Sequence, residues 1–102
     1  MKLITKEIER KLEKARLYSQ ENEPNPEIVV KFFTPDAQWT WFVIEGEKQA
    51  DGDWLFFGYV IGLADELGYF TLNQLREIRG SMGLPIERDR YFSGRLNDVR
   101  IS

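Results

Sequence analysis

Nine aromatic side chains fall between Glu27 and Tyr59: Phe32, Phe33, Trp39, Trp41, Phe42, Trp54, Phe56, Phe57 and Tyr59. They occupy three segments, Ile28 to Phe33, Trp39 to Glu45 and Trp54 to Val60, each rich in aromatic and β-branched residues and bounded by turn-forming ones. Successive strand side chains point to opposite faces, so Trp39 and Trp41 share one face while Phe42 and Ile44 share the other. A small sheet needs one apolar face in order to fold. A second apolar face needs either a cover or a partner.

Two helices are available as covers. Ile4, Ile8, Leu12 and Ala15 recur at helical spacing, with Thr5 placed as the N-cap and Glu7 four residues before Lys11. Charged residues fill the other positions, so the apolar stripe is narrow. The second helix starts at Thr71, which has capping-box spacing to Gln74, and Phe70 and Leu75 are spaced as a hydrophobic staple. Leu72, Leu75 and Ile78 make its buried stripe, and Gly80 ends it.

The connections follow from turn chemistry. Pro24 and Pro26 make residues 20–26 a loop, and Pro35 followed by Asp36 suits a type I turn joining the first two strands. Residues 46–53 are polar and read as a loop or wide hairpin turn. Residues 61–69 read as a short turn of helix closed by Gly68, and residues 83–92 as an extended segment returning to the core. Beyond these, only Leu96, Val99 and Ile101 are apolar enough to hold the last ten residues, which predicts fraying. The expected fold is α+β: an N-terminal helix, an antiparallel sheet of three to four strands, and a second helix near residues 71–79. A chain of 102 residues is expected to form one domain.

Composition removes whole classes of chemistry. The chain has no histidine and no cysteine. Ser-His-Asp and Cys-His catalysis are therefore impossible within it, and so are disulfides and thiolate metal sites. No apolar run reaches the roughly 18 residues of a membrane helix, and the charged N-terminus lacks the apolar core of a signal peptide. These features point to a cytoplasmic protein with no cofactor, no metal and no membrane partner, and they favour a non-enzymatic role. Glu45, Asp51, Asp53, Asp65, Glu66, Glu87 and Asp89 are the carboxylates available for Mg²⁺, but their spacing matches no metal motif.

Charge is unevenly distributed. Residues 21–70 carry ten acidic and two basic side chains, whereas residues 1–20 and 71–102 each have a basic excess. Acidic loops beside aromatics suit a contact surface for a protein, for which Trp39, Trp41, Asp51, Asp53 and Trp54 are the candidates. Any exposed remainder of the aromatic block is expected near Trp39, Trp41 and the 46–53 loop. The alternative is a nucleic-acid-binding protein or a Mg²⁺-dependent nuclease, with Arg76, Arg79, Arg88 and Arg90 supplying positive charge. A self-associating protein, in which a second copy covers the apolar face as a homodimer, is a third possibility.

Several strings identify a family. Val30-Lys31-Phe32-Phe33-Thr34-Pro35-Asp36, Trp39-Thr40-Trp41, Phe57-Gly58-Tyr59-Val60, Glu66-Leu67-Gly68-Tyr69-Phe70 and Leu84-Pro85-Ile86-Glu87-Arg88-Asp89 occur in this order. Together they resemble the small bacterial family called domain of unknown function 2958, over almost the whole chain. The resemblance implies an accessory protein of a plasmid, phage or integrated mobile element. It implies no catalytic residue. A protein of that setting is expected to act by binding, for instance as an anti-CRISPR or antirestriction inhibitor of a host defence nuclease complex.

Overall fold

The computed structural model describes residues 1–100. Ile101, expected above to help hold the C-terminus, lies outside the described residues. The chain folds as α+β, in the order α1 (Lys6–Glu13), β1 (Val30–Phe33), β2 (Thr40–Lys48), β3 (Trp54–Ile61), β4 (Asp65–Thr71), α2 (Leu72–Glu77), β5 (Glu87–Arg88) and α3 (Leu96–Val99). One antiparallel sheet carries the strands in the order β4-β3-β2-β1-β5.

The sheet has five strands rather than three or four, for two reasons. The 83–92 segment pairs two of its residues with β1, opposite Phe32 and Phe33. Residues 65–71 form a full strand where a helical turn was expected. Leu63 and Leu67 at i,i+4 followed by Gly68 imitate a helix end, but the preceding hairpin brings Phe56 opposite Phe70 and Phe57 opposite Tyr69. Those aromatic pairs, with ring centroids 5.6 and 5.0 Å apart, favour the strand over a weak local helical preference.

Both helix starts are as the sequence predicts. The Ile8 N–H donates to Thr5 Oγ1, capping α1. At α2 the Gln74 N–H donates to Thr71 Oγ1 at 3.1 Å and the Thr71 N–H to Gln74 Oε1 at 2.9 Å, a complete capping box.

Each sheet face has its own apolar cluster. The first face buries Val30, Phe32, Trp41, Val43, Phe56 and Phe70 beneath Ile8 and Leu12 of α1 and Leu72 and Leu75 of α2. Leu3, Ile4 and Ile86 complete this core, so the narrow α1 stripe is widened by flanking extended chain. The second face buries a smaller cluster of Ile28, Phe42, Ile44 and Tyr59 beneath Leu96 of α3, with Phe92 against it.

Residues 94–97 are pinned rather than left to fray. The Leu96 N–H donates to the Pro26 carbonyl, the Asn97 N–H to Asn25 Oδ1 and the Ile28 N–H to the Gly94 carbonyl, all within 2.9 Å. Hydrogen bonds to main-chain and side-chain groups of residues 25–28 thus add to the few apolar anchors.

Candidate binding face

The second sheet face is covered over only part of its width. α3 seats Leu96 against Phe42 and Ile44 of β2 and Tyr59 of β3, and the β4 side is left to the loop that follows α1. Between them lies a cleft of about 470 Å³. Its floor is Ile44, Phe57, Leu67 and Tyr69, and its rim carries Tyr18 and Glu21.

A register shift builds this floor. Between Val43 and Glu45 the β2–β3 pairing slips by one residue, so Ile44 and Glu45 both face the second side. A carboxylate that simple alternation would have turned toward the helices is thereby aimed under the loop, where only 4% of Glu45 is exposed. It is fully used there. The Tyr18 N–H donates to Glu45 Oε1 at 2.9 Å and the Gln20 N–H to Oε2 at 2.8 Å. These charge-assisted bonds hold Tyr18 at φ 71°, a left-handed conformation that disfavours a bulky residue.

The held loop presents Tyr18 beside Tyr69. Partial desolvation raises the Tyr69 phenol pKa, as do the neighbouring Tyr18 hydroxyl and the negative charges of Glu45 and Glu21. The phenol hydroxyl is thus placed beside an apolar floor, next to the Tyr18 hydroxyl. Tyr18 and Tyr69 are more than half exposed, and Leu67 is 38% exposed. Glu21 and Glu23 line one side of the cleft, and Arg100 is a cation at its end.

The candidates singled out in the sequence lie elsewhere. Trp41 is in the first-face core, Trp54 stacks on Phe56 with ring centroids 6.3 Å apart, and Trp39 stacks on Trp41 at 5.9 Å. Trp39 also lies against Gly62, where any side chain would collide with its ring. Of the three tryptophans only Trp39 is exposed. Asp51 Oδ1 accepts the Asp53 N–H, and Asp53 Oδ1 accepts the N–H groups of Trp54 and Asn73, so both carboxylates order the β2–β3 turn. Of the nine aromatics between Glu27 and Tyr59 only Trp39 is exposed, at the expected place. The exposed Tyr18 and Tyr69 lie outside that block, beside the cleft on the other sheet face, and Tyr91 is exposed near the C-terminus.

The arginines are divided among local roles. Arg79 donates to the carbonyls of Arg76 and Ile78, and Arg76 reaches Asn73 Oδ1. Arg88 donates to the Lys2 carbonyl, and Arg90 is exposed beside it. No three acidic side chains converge as a metal site among the described residues. No helix among them is long and apolar enough to cross a membrane.

A family model described as "Protein of unknown function (DUF2958)" matches residues 3–99. The chain belongs to that family. No curated protein and no solved structure matches it. The DUF2958 match spans every element of the fold, from the apolar residues before α1 to the end of α3. Cleft, bulge and both sheet faces are therefore parts of the DUF2958 unit.

Proposed function

We propose that this DUF2958 protein is a non-enzymatic binding module that engages another protein through the cleft on its second sheet face. The observation that carries this is the partial cover. A buried, fully bonded carboxylate holds a strained loop so that Tyr18 stands beside exposed Tyr69 and Leu67. Tyrosines with little rotamer freedom make efficient contact anchors, and Glu21 and Glu23 at the rim suit a partner presenting Lys or Arg beside aliphatic surface. The mobile-element setting implied by the family resemblance makes a host defence nuclease complex the first partner class to examine, in the cytoplasm. A nucleic-acid-binding role is less well supported, because acidic residues flank the exposed aromatics and the arginines are spread over local contacts.

Partners captured from a bacterial lysate should be purified and titrated directly by calorimetry. Binding should weaken at least tenfold with Tyr18→Ser or with Glu21→Gln combined with Glu23→Gln, and be unchanged with Trp39→Ala. Binding that survives all cleft substitutions would refute the assignment. Binding of single-stranded DNA that falls steeply with salt and with Arg90→Ala would replace it by the nucleic-acid role.

A further inference from the structure

We propose that the free edge of β4 pairs antiparallel with β4 of a second copy, centred on Gly68, joining two five-stranded sheets into one.

The two edges of the sheet differ. β5 contributes two residues, and the N-terminal segment lies across it, with the Arg88 guanidinium donating to the Lys2 carbonyl. β4 is seven residues long, and among the described residues no strand pairs with its outer side. It contains no lysine, proline or bulge, and its two charges, Asp65 and Glu66, sit together at its first end, leaving residues 67–71 without a device that blunts an edge.

The hydrogen-bond phase of that edge follows from the hairpin before it. The Gln49 N–H donates to the Asp53 carbonyl at 2.8 Å, across the β2–β3 turn. Asp53 therefore turns its main-chain groups to β2, and by alternation so do Leu55, Phe57 and Tyr59. Phe56, Gly58 and Val60 must then bond to β4, through their partners Phe70, Gly68 and Glu66. That leaves the N–H and C=O of Leu67 and Tyr69 facing outward. The Thr71 N–H also faces outward, consistent with its donation to Gln74 Oε1.

Pairing Leu67 with Tyr69 of a second copy, and Tyr69 with its Leu67, lets each pair exchange both outward hydrogen bonds. It also overlaps the strands over their full length. Gly68 then faces Gly68 at the two-fold axis, in a non-hydrogen-bonded pair where Cα atoms approach to about 4.5 Å. A side chain at Gly68 would meet nothing in the monomer, so the fold itself does not require the glycine. Asp65 falls opposite Thr71 and Glu66 opposite Phe70, so no like charges oppose one another. A shift that put Glu66 opposite Glu66 would lose both overlap and charge separation. Leu67 and Tyr69 lie on the same face as the cleft, so the apolar floors of the two copies become continuous.

The test needs no other partner. Sedimentation velocity of the full chain over about 1–300 μM, the range suited to a modest interface, should show a monomer–dimer equilibrium. Leu67→Pro removes only an outward N–H, and should abolish the dimer with the circular dichroism spectrum kept. Leu67→Lys with Tyr69→Lys should also abolish it, and Leu67→Lys with Tyr69→Glu should restore it, since residue 67 meets residue 69 only in this register. A monomer throughout the range would overturn the proposal, as would a dimer indifferent to both double variants. A monomer whose β4 edge binds only an added basic peptide would overturn it too. Because these readouts involve no foreign protein, failure of the cleft to bind one leaves them unaffected.

Discussion

Glu45→Ala should be the most damaging single change to the second face. The carboxylate is almost wholly buried and accepts the Tyr18 and Gln20 amides on different oxygens, at 2.9 and 2.8 Å. Hydrogen bonds to a charged group contribute about 1.5–3 kcal/mol each. Water can reach part of the loop and replace some of that, so the expected loss is about 2–4 kcal/mol, a large share of the roughly 5–15 kcal/mol typical of a domain. At about 4–8 °C per kcal/mol for a chain this short, Tm should fall by about 8–32 °C. Glu45→Gln keeps one acceptor but sets an NH₂ against the second amide, and should lie between wild type and Glu45→Ala. Glu47→Ala is the control. Its ion pair with Arg16, at 3.2 Å, joins two solvent-exposed side chains and is worth under about 1 kcal/mol. Thermal unfolding followed by circular dichroism gives the comparison. Trypsin gives a local one, because a released loop should be cut faster after Arg16. If Glu45→Ala melts no lower than Glu47→Ala and its loop is no more open to trypsin, the carboxylate does not hold the loop and the account of the cleft fails.

Gly58 and Gly68 face each other across β3 and β4, yet they should respond oppositely to alanine. A Cβ at Gly58 would collide with the Phe42 carbonyl, so Gly58→Ala must force β2 and β3 apart and should cost more than about 3 kcal/mol in urea unfolding; Gly68→Ala, with open space around it, should be neutral or stabilising by up to about 1 kcal/mol. The Tyr69 phenol, raised from the ordinary value of 10.0, should titrate late in ultraviolet difference spectra, and Tyr18→Phe should bring it back toward that value. Since the unfolded chain sheds this proton first, the Tyr69 contribution to stability should decline as pH rises past the ordinary tyrosine range, and an early-titrating Tyr69 would contradict the arrangement at the cleft.

Local signals were legible in the sequence and non-local ones were not. The Thr5 cap and the Thr71–Gln74 capping box connect residues three apart, so spacing alone reveals them. β4 depends on register with β3, and a window of nine residues containing Leu63, Leu67 and Gly68 carries no trace of Phe57 opposite Tyr69. Read as a strand, that window would have put Leu67 and Tyr69 on one face, so the signal existed once the hairpin was recognised. Glu45 was harder still. In a strand of alternating residues it appears as a carboxylate on an arbitrary face, and only the bulge after Val43 turns it beneath residues 18–20. Trp39 and Trp41 were correctly placed on one face, but aromatic size does not tell a core anchor from a contact residue. What decides is which face receives the helices.

That allocation explains where an apolar surplus can remain. The first face is covered by pieces from both ends of the chain, because α1 supplies only Ile8 and Leu12 and needs Leu3, Ile4, Leu72, Leu75 and Ile86 to complete the layer. The second face receives α3, four residues that extend about 6 Å. Strands β2 to β4 alone span about 10 Å at roughly 4.8 Å per strand, and the side chains extend that further. One helical turn seated over Phe42 and Tyr59 therefore leaves an uncovered strip on its far side, at β4. Leu67 and Tyr69 occupy that strip. Being 38% and 54% exposed, they leave apolar surface open to water even though the Tyr69 ring packs on Phe57, 5.0 Å between centroids. That exposed surplus is the physical reason to place contact with another molecule along β4 and the adjoining cleft.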